Sequence, residues 1–335
     1  MRNYFLMLLL IGCFASVQAK SDWKARWINT ERCQSAENTW LAYRKTVDID
    51  KVPQTLTAHI AADSKYWLWI NGRLVVFEGG LKRGPSLYDT YYDSVEIAPY
   101  LTAGENTIAV LVWHFGKNGF SHVNSGLAAL LFEAVAPGIE IVSDASWRCA
   151  VYEAYQNTEA PFPNYRLPES NIRFDARMEM AGWNQPGFTG GMPEAVVISE
   201  VGVAPLGKLV ERPIPLFKDY GLKSYVDVRK SAAGDTLYCR LPYNCQVTPY
   251  LKVEAPAGKT IHLLTDNYEG GSANNVRGEY ITRDGVQEYE SYGWMNGHEM
   301  VYPVGRGEGA RCEVPRDGLR CGVHRLFPVQ RSVYE

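Results

Sequence analysis

Two runs of the chain, Leu56-Thr57-Ala58-His59-Ile60-Ala61-Ala62 and Tyr66-Trp67-Leu68-Trp69-Ile70-Asn71-Gly72-Arg73-Leu74-Val75-Val76-Phe77, decide the fold. Both alternate with a period of two, which sends successive side chains to opposite faces of a strand. Asn71-Gly72 is the dipeptide that closes a two-residue β-turn, because both positions tolerate positive φ. The stretch therefore predicts three strands, the last two joined as a hairpin. Trp67 and Trp69 share one face at that spacing and read as a core pair rather than a sugar platform.

Trp23 to Ile28 and Trp40 to Val47 alternate in the same way. Tyr88 to Tyr92, a strand beginning near Val95, a turn over Leu101 to Asn106, then Thr107 to Trp113 and Leu127 to Ala134 continue the meander. Many short strands with turn signals at this spacing predict a sandwich. Gly116 to His122 is a polar loop that could reach a ligand or simply turn in solvent. Ile139 to Glu200 is loop-rich: Ser143 to Trp147 begins a strand, Phe162 to Tyr165 turns, and Phe174 to Arg177 with Gly182-Trp183 reads as the late edge of the same sandwich. Pro205 to Pro215 reads as a linker. Leu237 to Cys239, Tyr250 to Glu254 and Thr260 to Leu264, with a turn at Ala255 to Lys259, then predict a second sandwich.

The composition agrees: 335 residues, 46% hydrophobic, nine Trp, 21 Tyr, 30 Gly and 18 Pro suit an all-β protein with two cores and many turns. A net charge of -3 without a basic stripe argues against nucleic acid as a partner. Arg2, the apolar run Phe5 to Phe14 and Val17-Gln18-Ala19 form a signal-peptide pattern over 1–19, so the mature chain is expected to start near Lys20, secreted or periplasmic. The run is shorter than a membrane span. Leu10-Ile11-Gly12-Cys13 offers the alternative of a lipoprotein anchored through Cys13. Of seven Cys, Cys239 and Cys245 flank Leu241-Pro242-Tyr243-Asn244, where a disulfide across a hairpin or two thiols are equally compatible with the spacing.

The densest polar stretch is Thr265 to Tyr302, T-D-N-Y-E-G-G-S-A-N-N-V-R-G-E-Y-I-T-R-D-G-V-Q-E-Y-E-S-Y-G-W-M-N-G-H-E-M-V-Y. Carboxylates and amides bond sugar hydroxyls, and aromatic faces stack on sugar rings. Asp266, Asn267, Tyr268, Glu269, Asn275, Tyr280 and Trp294 are the carbohydrate-binding candidates. Core packing is the alternative for the aromatics among them. Asp266, Asn274 and Asp284 supply hard oxygens of the kind Ca2+ prefers, although the spacing is not that of an EF-hand and a solvated loop explains the same residues. Glu288 and Glu290 alternate on one predicted strand and read as a solvated face.

W-K-A-R-W-I at Trp23 to Ile28, Y-W-L-W-I-N-G at Tyr66 to Gly72, Y-D-T-Y at Tyr88 to Tyr91 and L-T-A-G-E-N-T-I-A-V at Leu101 to Val110 resemble the N-terminal sandwich of bacterial α-L-rhamnosidases. T-D-N-Y-E-G-G-S, N-V-R-G-E-Y-I-T, G-V-Q-E-Y-E-S and G-W-M-N-G-H resemble the second sandwich of the same family, glycoside hydrolase family 78. The resemblance implies two consecutive β-sandwich domains of jelly-roll or concanavalin-like type, 20–212 and 213–302, and a rhamnose-containing glycan or glycoside as partner. In that family, hydrolysis with inversion belongs to carboxylates of a helical barrel carrying an acidic stretch like D-R-E-R-x-x-W-x-G-D, which this sequence lacks. No catalytic residue is therefore carried over. Residues 303–335 abandon strand periodicity, and permitted codons for Cys312 to Arg325 read one base later can spell V-K-Y-R-E-T-G-Y-D-A-E-F-T-G, so a frameshifted tail is expected. The expectation is a truncated α-L-rhamnosidase without activity. The alternatives are a stand-alone carbohydrate-binding module, or sandwiches that only support an absent barrel.

Overall fold

The computed structural model describes residues 20, 22–32, 36–81, 87–119, 122–160, 171–217, 222–268, 276–303 and 322–324. Regular structure among them consists of strands and three short 3-10 turns, as the all-β reading expected. No described helix is long and apolar enough to cross a membrane.

An outer sheet runs Val196–Val197, Ile28–Asn29, Leu130–Ala136, Thr57–Ala62, Thr90–Glu96, Leu209–Glu211, with Ile139–Val142 also on Leu130–Ala136. A middle sheet runs Arg148–Val151, Thr39–Ile49, Gly104–His114, Lys65–Ile70, Arg73–Gly80. The hairpin forms where Asn71-Gly72 placed it, with φ of 52° and 75° at the two turn residues. Positive φ at both positions gives the backbone twist that matches the flanking strands.

A far sheet runs Tyr155–Asn157, Ile172–Asp175, Gly278–Ile281, Thr260–Thr265, Met295–Pro303, Thr236–Val247, Asp227–Lys230, accompanied by the pair Tyr250–Ala255 and Gly285–Glu290. Within the tail, Gly322–His324 pairs antiparallel with Leu222–Ser224.

Burial explains how these sheets stack. On the middle sheet Leu41, Tyr43, Tyr66, Leu68, Ile70, Val110 and Val112 join a core with Ile60, Leu130 and Phe132 of the outer sheet. The alternate residues Trp40, Trp67, Trp69, Leu111 and Trp113 join another with Leu237, Leu251, Leu263, Tyr289 and Met300 from the far side. The middle sheet is thus covered on both faces, and every residue of Lys65–Ile70 is buried. Trp67 and Trp69 do share one face, in the core between middle and far sheets. Trp40 stacks on Trp113 at 4.6 Å and on Tyr155 at 4.1 Å, Tyr155 meets Phe174 at 4.8 Å, and Phe174 stacks on Tyr289 at 5.0 Å. This aromatic row runs from the middle sheet to the far sheet within that one core.

Three expectations change. Phe174 and Asp175 are not at the late edge of the first sandwich: Ile172–Asp175 lies in the far sheet, parallel to Gly278–Ile281. Glu279 fixes that crossing, accepting from Arg173 Nε at 2.8 Å and Arg277 Nε at 3.0 Å while only 1% exposed. The expected linker instead contributes Leu209–Glu211, parallel to Thr90–Glu96. Cys239 and Cys245 are buried along one strand rather than facing across a hairpin, and the two sulfurs are not bonded to each other. Phe162 to Tyr165 lies outside the described residues.

Candidate carbohydrate-binding surface

The strand Thr236–Val247 shifts register between Arg240 and Cys245. Leu241 and Cys245 stay buried, while Pro242, Tyr243 and Asn244 are pushed into solvent. Proline has no N–H for the sheet ladder, so it is tolerated at such an irregularity and marks it. Tyr243 is 52% exposed there.

Asn244 accepts from Asn267 Nδ2 at 3.2 Å, which joins this bulge to the 3-10 turn Asp266–Tyr268. One Asp266 oxygen, Oδ1, accepts the backbone N–H groups of His298 and Glu299 at 2.7 and 3.0 Å, and Oδ2 lies 3.3 Å from His298 Nδ1. Gly297 leaves the room: a Cβ there would fall 2.6 Å from Asp266 Oδ1. The result brings two linked amides, a carboxylate and an imidazole together at the surface, with the exposed Tyr243 next to Asn244 in the chain. These groups accept from and donate to hydroxyls, which suits recognition of a polyol.

The candidates separate sharply by environment. Asp266 and Asn267 belong to the patch, and Tyr268 closes the same turn. Glu269, Asn274 and Asn275 lie outside the described residues. Tyr280 is 1% exposed, stacked on Tyr289 at 4.6 Å, with its hydroxyl donating to Gln287 Oε1 at 3.0 Å. Burial raises the Tyr280 hydroxyl above its ordinary pKa, and the side chain presents no free face to a ligand. Trp294 is partly buried against the core, 5.5 Å from the Lys65 ammonium. Asp284 is exposed and accepts the Ala257 N–H at 2.8 Å, holding the turn at Pro256 to Lys259. Among the described residues no group of three His, Cys, Asp or Glu side chains converges as a metal cage. Glu288 is exposed and paired with Lys252 at 2.6 Å.

Tyr243, Asn244 and His298 were not foreseen. The available signal was a proline inside a strand pattern, which the two flanking cysteines disguised as a hairpin tip.

Two further features belong to the first sandwich. Asp63, 6% exposed, sits 2.9 Å from His122 Nε2 and accepts the Ser125 N–H at 2.8 Å. The adjoining pocket, lined partly by Thr90 and Tyr91, has about 10 Å³, room for one water. His122, at the end of that polar loop, is therefore turned inward, 2% exposed, while Asn118 is exposed and residues 120 and 121 lie outside the described residues. A larger cleft of about 810 Å³ opens between Glu31, Arg32, Glu153, Met180 and Glu194.

This all-β arrangement of stacked sheets recurs in solved structures. Neither a protein-family model nor a curated protein matches the sequence. The chain is similar to the α-L-rhamnosidase of Dictyoglomus thermophilum, with 20% identity over 85% of this chain and 34% of that one, TM-score 0.62. It is similar to the family 78 rhamnosidase of Bacillus sp. GL1, with 24% identity over 85% and 33%, TM-score 0.55. It is also similar to the Streptomyces avermitilis α-L-rhamnosidase solved with L-rhamnose, with 17% identity over 81% and 28%, TM-score 0.59. At these identities the likeness establishes a shared fold, and the chain spans about a third of the length of those proteins.

Proposed function

We propose that this chain supplies accessory carbohydrate-recognition sandwiches of the α-L-rhamnosidase type, that it acts outside the cytoplasm, and that it hydrolyses no rhamnoside itself. The observation that carries the reading is the fit of more than four-fifths of the chain to rhamnosidases, over about a third of their length. A rhamnose-containing glycan is the proposed ligand, and the Tyr243–Asn267–Asp266–His298 patch the proposed contact. Support for binding without hydrolysis comes from the carboxylates of the polar stretch. Asp266, Glu279, Asp284 and Glu288 are each held by backbone N–H groups or by Arg and Lys partners, which leaves them as structural acceptors rather than as an opposed acid and base.

Replacing Tyr243 with Ala removes the exposed ring and little of the fold. Aromatic contacts contribute about 0.5–1.5 kcal/mol, so affinity for a rhamnosyl oligosaccharide should fall about three- to tenfold, with and without added calcium. Calorimetric titration of wild type, Tyr243→Ala and Asn267→Ala reads this directly. Unchanged affinity in both variants would move the contact elsewhere.

A further inference from the structure

We propose that cleavage after Ala19 creates a structural cation: the α-ammonium of Lys20 seats against the Tyr92 hydroxyl, beside the buried carboxylate of Glu133. The proposal rests on the export reading above. The step is hydrolysis by a signal peptidase: water adds across the Ala19–Lys20 amide, the C–N bond breaks, and Ala19 leaves as a carboxylate. The Lys20 nitrogen takes up protons and becomes an ammonium. One N–H donor becomes three, and a full positive charge appears.

The seat already exists. As an amide, the Lys20 nitrogen donates to Tyr92 Oη at 3.3 Å, and the Lys20 carbonyl accepts from Trp23 Nε1 at 3.0 Å. Its side-chain ammonium lies 2.9 Å from Glu133 Oε1, 3.1 Å from Asp22 Oδ1 and 5.6 Å from the Trp23 ring. The other Glu133 oxygen accepts the backbone N–H groups of Lys24 and Ala25 at 2.5 and 2.8 Å. Glu133 is 1% exposed, so this start of the chain is held by one buried carboxylate. Tyr92 is 2% exposed and fixed edge-on between Trp23 at 5.2 Å and His59 at 5.4 Å.

The local charge favours a further cation. Glu133 and Asp22 pair with Lys20, Glu211 acts on the Tyr92 hydroxyl, and Lys24 is occupied by Glu140 at 2.5 Å. Burial, then the Lys20 charge, lowers the His59 pKa, which favours the neutral imidazole. Glu133 and Asp22 therefore contact the Lys20 ammonium with Glu211 acting on the same Tyr92 hydroxyl, and a buried or half-buried charge is stabilised when opposite charge is at hand.

The test uses the full chain with a protease recognition sequence placed wholly before the cut, so that digestion leaves Lys20 first. A second form is cut to leave Gln18-Ala19 in place, which carries the same ammonium two residues away. The Lys20 form should melt about 2–3 °C higher than the Gln18 form, and Tyr92→Phe should abolish that difference. Equal melting of the two forms overturns the proposal, as does a difference that survives Tyr92→Phe. N-terminal sequencing of the exported protein separately tests export: a start at Lys20 agrees with it, and a lipid-modified start at Cys13 contradicts it.

Discussion

Replacing Trp40 with Ala should destabilise the protein by about 3–5 kcal/mol, the usual cost of removing a buried Trp and leaving a cavity. Trp40 is 1% exposed and in ring contact with Trp113, Trp67 and Tyr155 at once. Tyr155 lies at the edge of the far sheet, so the ring connects middle and far layers rather than filling one sandwich. The loss should therefore appear in both layers: urea unfolding followed by Trp fluorescence and by far-UV circular dichroism should shift together. Val286→Ala, at a side chain 59% exposed, should change stability by less than about 0.5 kcal/mol. A Trp40→Ala protein as stable as that control would contradict the two-faced burial of the middle sheet.

Asp63→Asn should cost about 3 kcal/mol at neutral pH, because it breaks a buried carboxylate's contacts with His122 and Ser125. The cost should depend on pH. Burial on its own would raise the Asp63 pKa; the His122 hydrogen bond and charge, with Ser125, overcome this and hold it at about 2, below its ordinary 3.8. A carboxylate depressed on folding adds stability above its unfolded pKa and loses it as pH falls through the folded one. The wild-type protein should accordingly lose about 2 kcal/mol between pH 5 and pH 2 from this group, with the gap to Asp63→Asn narrowing over the same window. Melting curves across that range check it, and a gap constant with pH would remove Asp63 from the account.

Local chemistry was legible where the chain alone fixes it. Asn71-Gly72 determined a turn, and alternation correctly placed Trp67 beside Trp69, because strand faces follow from a period of two. Alternation does not say how many faces are covered. The clue was that Tyr66, Leu68 and Ile70 are as apolar as the tryptophans between them, which signals burial on both sides. The passage of Ile172–Asp175 into the far sheet was not legible, since its parallel partner Gly278–Ile281 lies about a hundred residues away and the Arg173–Glu279 contact exists only after folding.

The proposed contact patch was legible in part for the same reason. Asp266 and Asn267 stood out as polar residues leaving a strand, whereas Asn244 and His298 join them through a register shift and a neighbouring strand. Tyr280 shows the converse. Its residue type suits a sugar surface, but stacking on Phe174 and Tyr289 commits it to the core.

A single NMR experiment puts recognition and hydrolysis to the test together. A rhamnosyl oligosaccharide with a terminal α-L-rhamnose is incubated with the purified chain, and saturation transfer to the sugar protons is recorded alongside the anomeric signals. The account predicts transfer concentrated on the rhamnose ring, reduced by Tyr243→Ala, with no free rhamnose released over hours. Release of free rhamnose by the purified chain, or no transfer to the sugar at millimolar concentration, would contradict it.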